Sequence, residues 1–559
     1  MKKHFLLLLT AIFLVHFFAI SQENPLPAIV KSNQNIPKEV IQSTAEFRER
    51  LLADPYRPAY HFCIPEDKGV PFDPNGAFYY KGRYHLMYLF DRIGKGFSYG
   101  HISSNDMLHW RYHPNALVPG DGDDGVFSGG AFVDDDGTAV LSYWNWMRWG
   151  SKGICLAKST DDNFNNWEKI GSNPVIKSTD YGIIDIKDET GKLIHASAAD
   201  PSNIWEKDGQ YYMLAGNLLL LRKYGSRGKG LVANREEPDL PNDSVDYQGD
   251  GLSLFTSSDL SHWTYLHEFY ESDRKWTSKT EDNMCASFLP LPSEPNGGKA
   301  SNKHLLLFIS HNRGSQYYIG DYIKDNFIPE VHGRMTWNDN AYFAPEALID
   351  DKGRQIMWTW IFDDRPDSLK SYYGWTGTYG LPRSLWLGDD GTLRMRPVKE
   401  LETLRMDEKI LSNVNVNSGT EVKLNELGNE LMELEIIIQP NKSTQYGIKV
   451  CVSEDGREET LVYYDMKDKK LKLDTRKSGL SFGRKIIEEA PLELLDGESL
   501  VLRIFVDKSI IEVFANNRQA IARRIYPTLG GKGISAFSNN GDIKIESIKS
   551  WEIMPSNLY

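Results

Sequence analysis

The chain has 559 residues, with 64 Lys and Arg against 77 Asp and Glu for a net charge of −13, and 40% of its residues are hydrophobic. That length and apolar share support two to four domains with large cores and exclude a disordered chain. The acidic balance, with no clustered excess of Lys and Arg, argues against a phosphate-backbone partner, so no nucleic acid is expected.

The first element is a basic head, Met1-Lys2-Lys3-His4, followed by an apolar run over residues 5–20 and small residues at Ala19 and Ser21. This pattern predicts a secretory signal over residues 1–21, cleaved after Ser21. A membrane anchor needs a longer uninterrupted run, and Thr10 and His16 break this one. The mature protein is therefore expected to be exported, to a periplasm or beyond the cell, with no membrane span; oligomeric state is left open. Residues 22–44 read as a linker. The four cysteines, Cys63, Cys155, Cys285 and Cys451, show neither CxxC nor His spacing, so no zinc site, metal, cofactor or disulfide framework is expected.

A repeat follows. Asp73-Pro74 precedes Gly82 by the same nine-residue offset that separates Asp200-Pro201 from Gly209, Ser128 from Gly137 and Ala344 from Gly353. Each Gly follows a polar residue, reads as a hairpin turn, and leads into an aromatic or aliphatic strand: residues 84–90, 139–144, 211–214 and 355–360, with 305–310 as a fifth. Three of these are followed by a short strand, a Ser/Asp turn and a Trp at 110, 167 or 263. Short strands with Gly- and Trp-studded joints predict β-propeller blades, five of them over residues 45–405. An ordinary pair of β-sandwiches accommodates the hairpins but not the shared offset. From residue 406 to 559 the texture becomes period-two alternation over 431–438, 447–452, 500–506, 510–515 and 543–548, which predicts an antiparallel β-sandwich. The fold class is all-β, a five-bladed β-propeller followed by a C-terminal antiparallel β-sandwich.

In a propeller the innermost strands start near the axis, so Asp73, Ser128, Asp200 and Ala344 should converge on one funnel, with residues 281–285 arriving from the fourth blade. An isolated Asp-Pro is usually a turn cap. Two at equivalent positions, with Glu281 and Asp282 nearby, point instead to paired carboxylates, one ionised to attack or stabilise a cationic sugar carbon and one protonated to serve the leaving oxygen. That is glycosidic bond cleavage, with retention at a carboxyl separation of roughly 5–5.5 Å and inversion at roughly 6.5–9.5 Å. The aromatic stretch 143–149 and the rings Trp337, Tyr342, Phe343 and Trp375 could stack on sugars or fill the core. Gly96-Phe97-Ser98-Tyr99-Gly100 fits a GxSxG pattern but lacks the strand-to-helix context, residues 121–125 read as a turn, and His85, His101 and His109 lack ligand spacing.

These residues resemble glycoside hydrolase family 32, the invertase, levanase and inulinase group, through Arg57-Pro58-Ala59-Tyr60-His61-Phe62, Asp73-Pro74-Asn75-Gly76, Phe127-Ser128-Gly129, Asp200-Pro201, Ala344-Pro345, Gly374-Trp375, Leu381-Pro382-Arg383 and Glu512-Val513-Phe514. The resemblance covers nearly all the mature chain. It implies a five-bladed propeller with a C-terminal β-sandwich and metal-free, retaining hydrolysis of β-fructosidic bonds in sucrose or fructans. By position it implies Asp73 as nucleophile and Asp200 as the carboxylate that holds sugar hydroxyls and stabilises the transition state. Asn75, Phe127, Ser128, Asp282 and Trp375 would bind substrate.

Three departures stand out. Val70-Pro71-Phe72 replaces the family's Trp-Met-Asn, and Ala199 replaces the Arg before the second Asp-Pro. Met284-Cys285-Ala286 stands where the family has Glu-Cys-Pro, whose Glu is the general acid. Met cannot donate a proton, so Glu281 is the expected acid and Asp282 the alternative. Two further readings stay open: a propeller glycosidase for another glycoside, and a sugar-binding pseudoenzyme without a general acid.

Overall fold

The computed structural model describes residues 36–558 apart from 65–68, 70, 93, 148–149, 180–181, 188–189, 217–248 and 279–280. The expected export signal over 1–21, Val70, and Arg148 and Trp149 of the aromatic stretch lie outside the described residues. The chain divides into a unit over residues 1–50 and a unit over residues 51–559. A helix, Lys38–Ala53, begins inside the stretch expected to be a linker. It starts just after Pro37 in a sequence rich in Glu, Gln, Arg and Ala, which favour helix. Among the described residues, no helix is long and apolar enough to cross a membrane.

Five antiparallel sheets of four or more strands follow one another from residue 74 to residue 397, with a two-stranded ribbon, Ile183–Lys187 and Leu193–Ser197, between the second and the third. Blade I holds strands Pro74–Tyr80, Arg83–Arg92, Gly96–Ser104 and Arg111–Tyr112. Blade II is built on Val126–Phe127 and Ala131–Val133, both paired with Ala139–Met147, and continues through Gly150–Ser159. Blade III runs from Ile204–Lys207 to Thr264–Glu268, blade IV from Met284–Pro292 to Asn326–Arg334, and blade V from Tyr342–Ile349 to Leu393–Pro397. The strands that open blades I and II touch, as do those of II and III, and those of IV and V; blade III packs on blade IV through Gln210–Ala215, and the opening strand of blade V returns to that of blade I. The ring therefore closes after five blades, a radial repetition that leaves only short sheet edges at its outside.

Local chemistry explains the repeat. In blade I the hairpin turn puts both Lys81 (φ 45°) and Gly82 (φ 83°) in left-handed backbone, and in blade III Asp208 (φ 53°) and Gly209 (φ 74°) do the same. A two-residue turn with positive φ at both positions matches the twist of the strands it joins. The Trp joints share a second device: Met107 (φ 65°), Phe164 (φ 52°) and Leu260 (φ 63°) each lie three residues before the Trp. Trp167 and Trp263 donate their indole N–H to the carbonyls of Phe164 and Leu260, at 2.9 and 3.0 Å.

From residue 405 two six-stranded sheets face each other, one ordered Arg405–Val416, Ile543–Ile553, Leu431–Ile438, Leu500–Asp507, Ile510–Ala515, Gln519–Arg524. Their inner faces carry a separate aliphatic core that includes Leu434, Ile448, Val462, Leu502 and Val513. This is a sheet-on-sheet sandwich. Buried ion pairs tie it to the propeller: Glu512 accepts from Arg383 at 2.8 Å, and Asp339 accepts from Arg523 at 2.7 Å.

Candidate active site

The inner strands of blades I and II bring Asp73 and Ser128 into contact, with Ser128 Oγ donating to Asp73 Oδ2 at 2.7 Å. Asn75 bridges the same two blades: its amide nitrogen donates to the Asp73 carbonyl at 2.8 Å, and its amide oxygen accepts from Gly129 N at 3.0 Å. Blades III and IV complete the centre. Cys285 Sγ lies 3.6 Å from Asp200 Oδ2 and 4.0 Å from Asp73 Oδ2. Four residues distant in sequence thus surround one point, and Asp73 and Asp200 are only 4% and 3% exposed.

The frame positions share a backbone signature. Asp200 (φ 39°), Cys285 (φ 51°) and Ala344 (φ 50°) are all left-handed. In a residue with a Cβ that conformation costs roughly 1–2 kcal/mol. In blades I, IV and V the register with the next strand slips just past this point, between Asn75 and Phe78, Met284 and Ser287, and Phe343 and Glu346. Such bulges re-aim the side chains at a strand's head, and here the heads meet.

Burial and the two carboxylates, Asp73 first and then Asp200, push the Cys285 thiol well above its ordinary range. The sulfur therefore carries its hydrogen and can donate to the acids beside it. Tyr99 lies in the same field, its hydroxyl donating to the Phe127 carbonyl at 2.7 Å. The Phe127 ring meets Phe97 and Trp146 edge-on, each at 5.0 Å. Of the aromatic stretch 143–149, residues 143–147 form the end of strand Ala139–Met147.

Glu281 and Asp282 are both buried but differently engaged. Glu281 accepts from both terminal nitrogens of Arg334 at 2.9 Å, from Gln316 at 2.9 Å and from Ser278 N at 3.1 Å. Both of its oxygens are thus held as acceptors by a fork of donors. Asp282 receives His311 Nδ1 at 2.5 Å and His311 N at 2.8 Å. Met284 is buried with its sulfur against Gly216, so the family's acid position is filled by an apolar chain.

One residue expected to bind substrate lies elsewhere. Trp375 is fully buried away from the funnel: its indole donates to Asp54 Oδ2 at 2.6 Å, and the Arg365 guanidinium stacks on its ring at 3.9 Å. A Trp between buried cations and a carboxylate has no face left for a sugar. Trp337 packs on the sandwich core, and Phe72 is buried against Tyr379 at 4.5 Å behind Asp73. A Cβ at Gly182 would come 2.3 Å from the Ala199 Cβ, so the backbone at Gly182 occupies the space a longer side chain at position 199 would need.

The remaining motifs are structural. The GxSxG stretch is part of strand Gly96–Ser104. Asp123 of the 121–125 turn is pinned by Lys169 at 2.7 Å and Tyr143 at 2.7 Å. His85, His101 and His113 cluster, but the His101 and His113 rings stack at 4.1 Å with planes 19° apart. Lone pairs lie in the ring plane, so stacked rings direct them side by side rather than at one ion.

Two further residues, Glu346 and His311, escaped the sequence reading. Glu346 on blade V accepts from Ala77 N of blade I at 2.9 Å, and burial pushes its carboxyl up to about 8. Its place in Ala344-Pro345-Glu346, matching Asn75 in Asp73-Pro74-Asn75, was the available signal. His311 belongs to no motif.

Comparison with known proteins gives a consistent assignment. Solved structures share the fold, including fructan 1-exohydrolase IIa from Cichorium intybus, with a TM-score of 0.73, 21% identity, and coverage of 90% of this chain and 98% of that one. Exo-inulinase from Aspergillus awamori has a TM-score of 0.70 at 20% identity, with coverage of 90% and 99%. The chain is 27% identical to a sucrose-6-phosphate hydrolase of Zymomonas mobilis, over 91% of this chain and 94% of the relative. It is 28% identical to a levanase of Bacillus subtilis, over 88% and 70%. Residues 64–225 and 244–397 match the glycosyl hydrolases family 32 N-terminal domain, and residues 400–552 match the family 32 C-terminal domain. With a propeller funnel lined by carboxylates and both domains matched, the chain belongs to glycosyl hydrolase family 32 and is a glycosyl hydrolase.

Proposed function

We propose that this protein is an exported, retaining β-fructosidase acting on sucrose or on fructans of the levan or inulin type. The observation that carries the reading is the meeting of Asp73, Asp200 and Ser128 around the Cys285 sulfur. Relatives named levanase, sucrose-6-phosphate hydrolase and fructan exohydrolase supply the substrate class. The basic head and short apolar run of residues 1–21 support export, with residues 45–405 as the catalytic propeller and 406–559 as the sandwich.

In this reading Asp73 attacks the anomeric carbon of the fructosyl unit, its Oδ2 steadied by Ser128. The covalent fructosyl-enzyme is then hydrolysed from the face the leaving group vacated, so configuration is retained. Asp200 holds sugar hydroxyls and balances the positive charge that develops on the ring. The proton for the leaving oxygen is supplied near the head of blade IV, where Met284 cannot serve as the acid. Incubation with sucrose, levan and inulin should release fructose, transfer to methanol should give one anomer with retained configuration, and Asp73→Asn should abolish both. An Asp73→Asn protein as active as the wild type would refute the assignment.

The burial of Met284 at the family's acid position favours one second reading, a sugar-binding protein without turnover. Calorimetric binding of fructans with no product from any of the three would select it.

A further inference from the structure

We propose that His311, oriented by Asp282, is the acid/base that takes the place of the missing glutamate. This rests on the hydrolase reading above.

The positions of the two residues carry the idea. Ile309 pairs with Met284, so the chain leaving that strand reaches His311 beside the head of blade IV, next to the residue that stands in for the acid. The His311 ring meets the Phe343 ring edge-on at 5.7 Å, and Phe343 immediately precedes Ala344, the head of blade V. Asn340 fixes the turn by donating to the His311 carbonyl at 2.7 Å. His311 therefore lies beside the heads of blades IV and V, with its side chain 15% exposed, whereas Asp282 is 1% exposed.

Asp282 does what an orienting carboxylate requires. It accepts hydrogen bonds from Nδ1 at 2.5 Å and from the backbone N–H of the same residue at 2.8 Å, which fixes ring rotation and directs Nε2 away from the acid. Glu281 remains with Arg334.

The step balances. As Asp73 forms a bond to the anomeric carbon, the bond to the glycosidic oxygen breaks and that oxygen takes the Nε2 proton of the imidazolium. In the second half, neutral Nε2 takes a proton from water, the water oxygen bonds to the anomeric carbon, and the Asp73 ester bond breaks.

The test compares sucrose with a nitrophenyl fructofuranoside, whose leaving group departs without protonation. His311→Ala should lower turnover of sucrose at least ~100-fold, the span of acid/base catalysis, while first-step turnover of the aryl substrate changes by less than ~10-fold. Azide should accelerate the variant and yield fructosyl azide, because an anion needs no base to attack. Asp282→Asn should show the same split more weakly. Equal losses on both substrates, unchanged sucrose turnover, or no azide product would overturn the proposal while leaving the hydrolase reading intact. A wild-type protein that turns over neither substrate would overturn the hydrolase reading itself.

Discussion

Ser128 Oγ donates a 2.7 Å hydrogen bond to Asp73 Oδ2 across the seam between blades I and II. The bond holds one of the two carboxylate oxygens of Asp73. Ser128→Ala removes a buried donor to an acid, an interaction of about 1–2 kcal/mol, so kcat/KM should fall roughly 10-fold. The loss should be the same on sucrose and on an aryl fructoside, since the defect lies in the proposed nucleophile. Kinetics on the two substrates check this; a loss confined to sucrose would tie Ser128 to proton donation instead.

Cys285 should be a slow nucleophile despite its partial exposure. Its thiol is held up by burial and then by the charges of Asp73 and Asp200, and only the thiolate is alkylated. Asp73→Asn removes one of those charges, lowers the thiol's pKa and should speed labelling by iodoacetamide several-fold at mildly alkaline pH. Peptide mass spectrometry reads the site, with buried Cys63, Cys155 and Cys451 as internal controls. Equal labelling rates in both proteins would mean that the carboxylates do not govern the thiol.

The ring of blades was legible because its turns are chemically demanding. Lys81-Gly82 and Asp208-Gly209 need residues that accept positive φ, and that need recurs at a fixed distance from the funnel. Asp73, Ser128 and Asp200 were legible for the same reason, since they sit at the head of that frame. Trp375 misled because an aromatic near a propeller entrance looks the same in sequence whether it faces a sugar or Arg365. His311 was illegible because its meaning comes from Asp282, 29 residues away, and from a strand register that no local pattern encodes. Glu346 stood in a visible frame, but its raised pKa comes from burial, a property of the closed ring.

Glu346 should make the fold less stable as pH rises. Burial raises its folded pKa to about 8, only partly offset by the Ala77 N–H. For a group raised on folding, the stabilising contribution is complete below the unfolded value, near 4.3, and is lost as pH climbs through the folded one. Glu346→Gln keeps an acceptor for Ala77 N and removes the ionisation. Relative to wild type it should gain stability between pH 5 and 8, by about 2–4 kcal/mol at pH 8. Denaturant melts across that range check the trend; stability curves that run parallel would show that Glu346 does not titrate on unfolding.

The junction of propeller and sandwich should respond to pH through His61. Its ring lies 2.9 Å from Asp507 and 3.3 Å from Glu512, all three buried. Burial alone would lower its pKa, but the hydrogen bonds and charges of Asp507 and Glu512 prevail and raise it. The stability it contributes is therefore present below the ordinary histidine value, near 6.5, and is lost as pH rises through the raised folded value. His61→Asn should cost most near pH 6, where two buried carboxylates lose a cation, by about 3–5 kcal/mol. The gap from wild type should narrow on the alkaline side, where the native imidazole is itself losing its proton. Thermal melts of both proteins from pH 6 to 9 measure that gap, and one that does not change with pH would show that His61 is neutral in the native protein throughout.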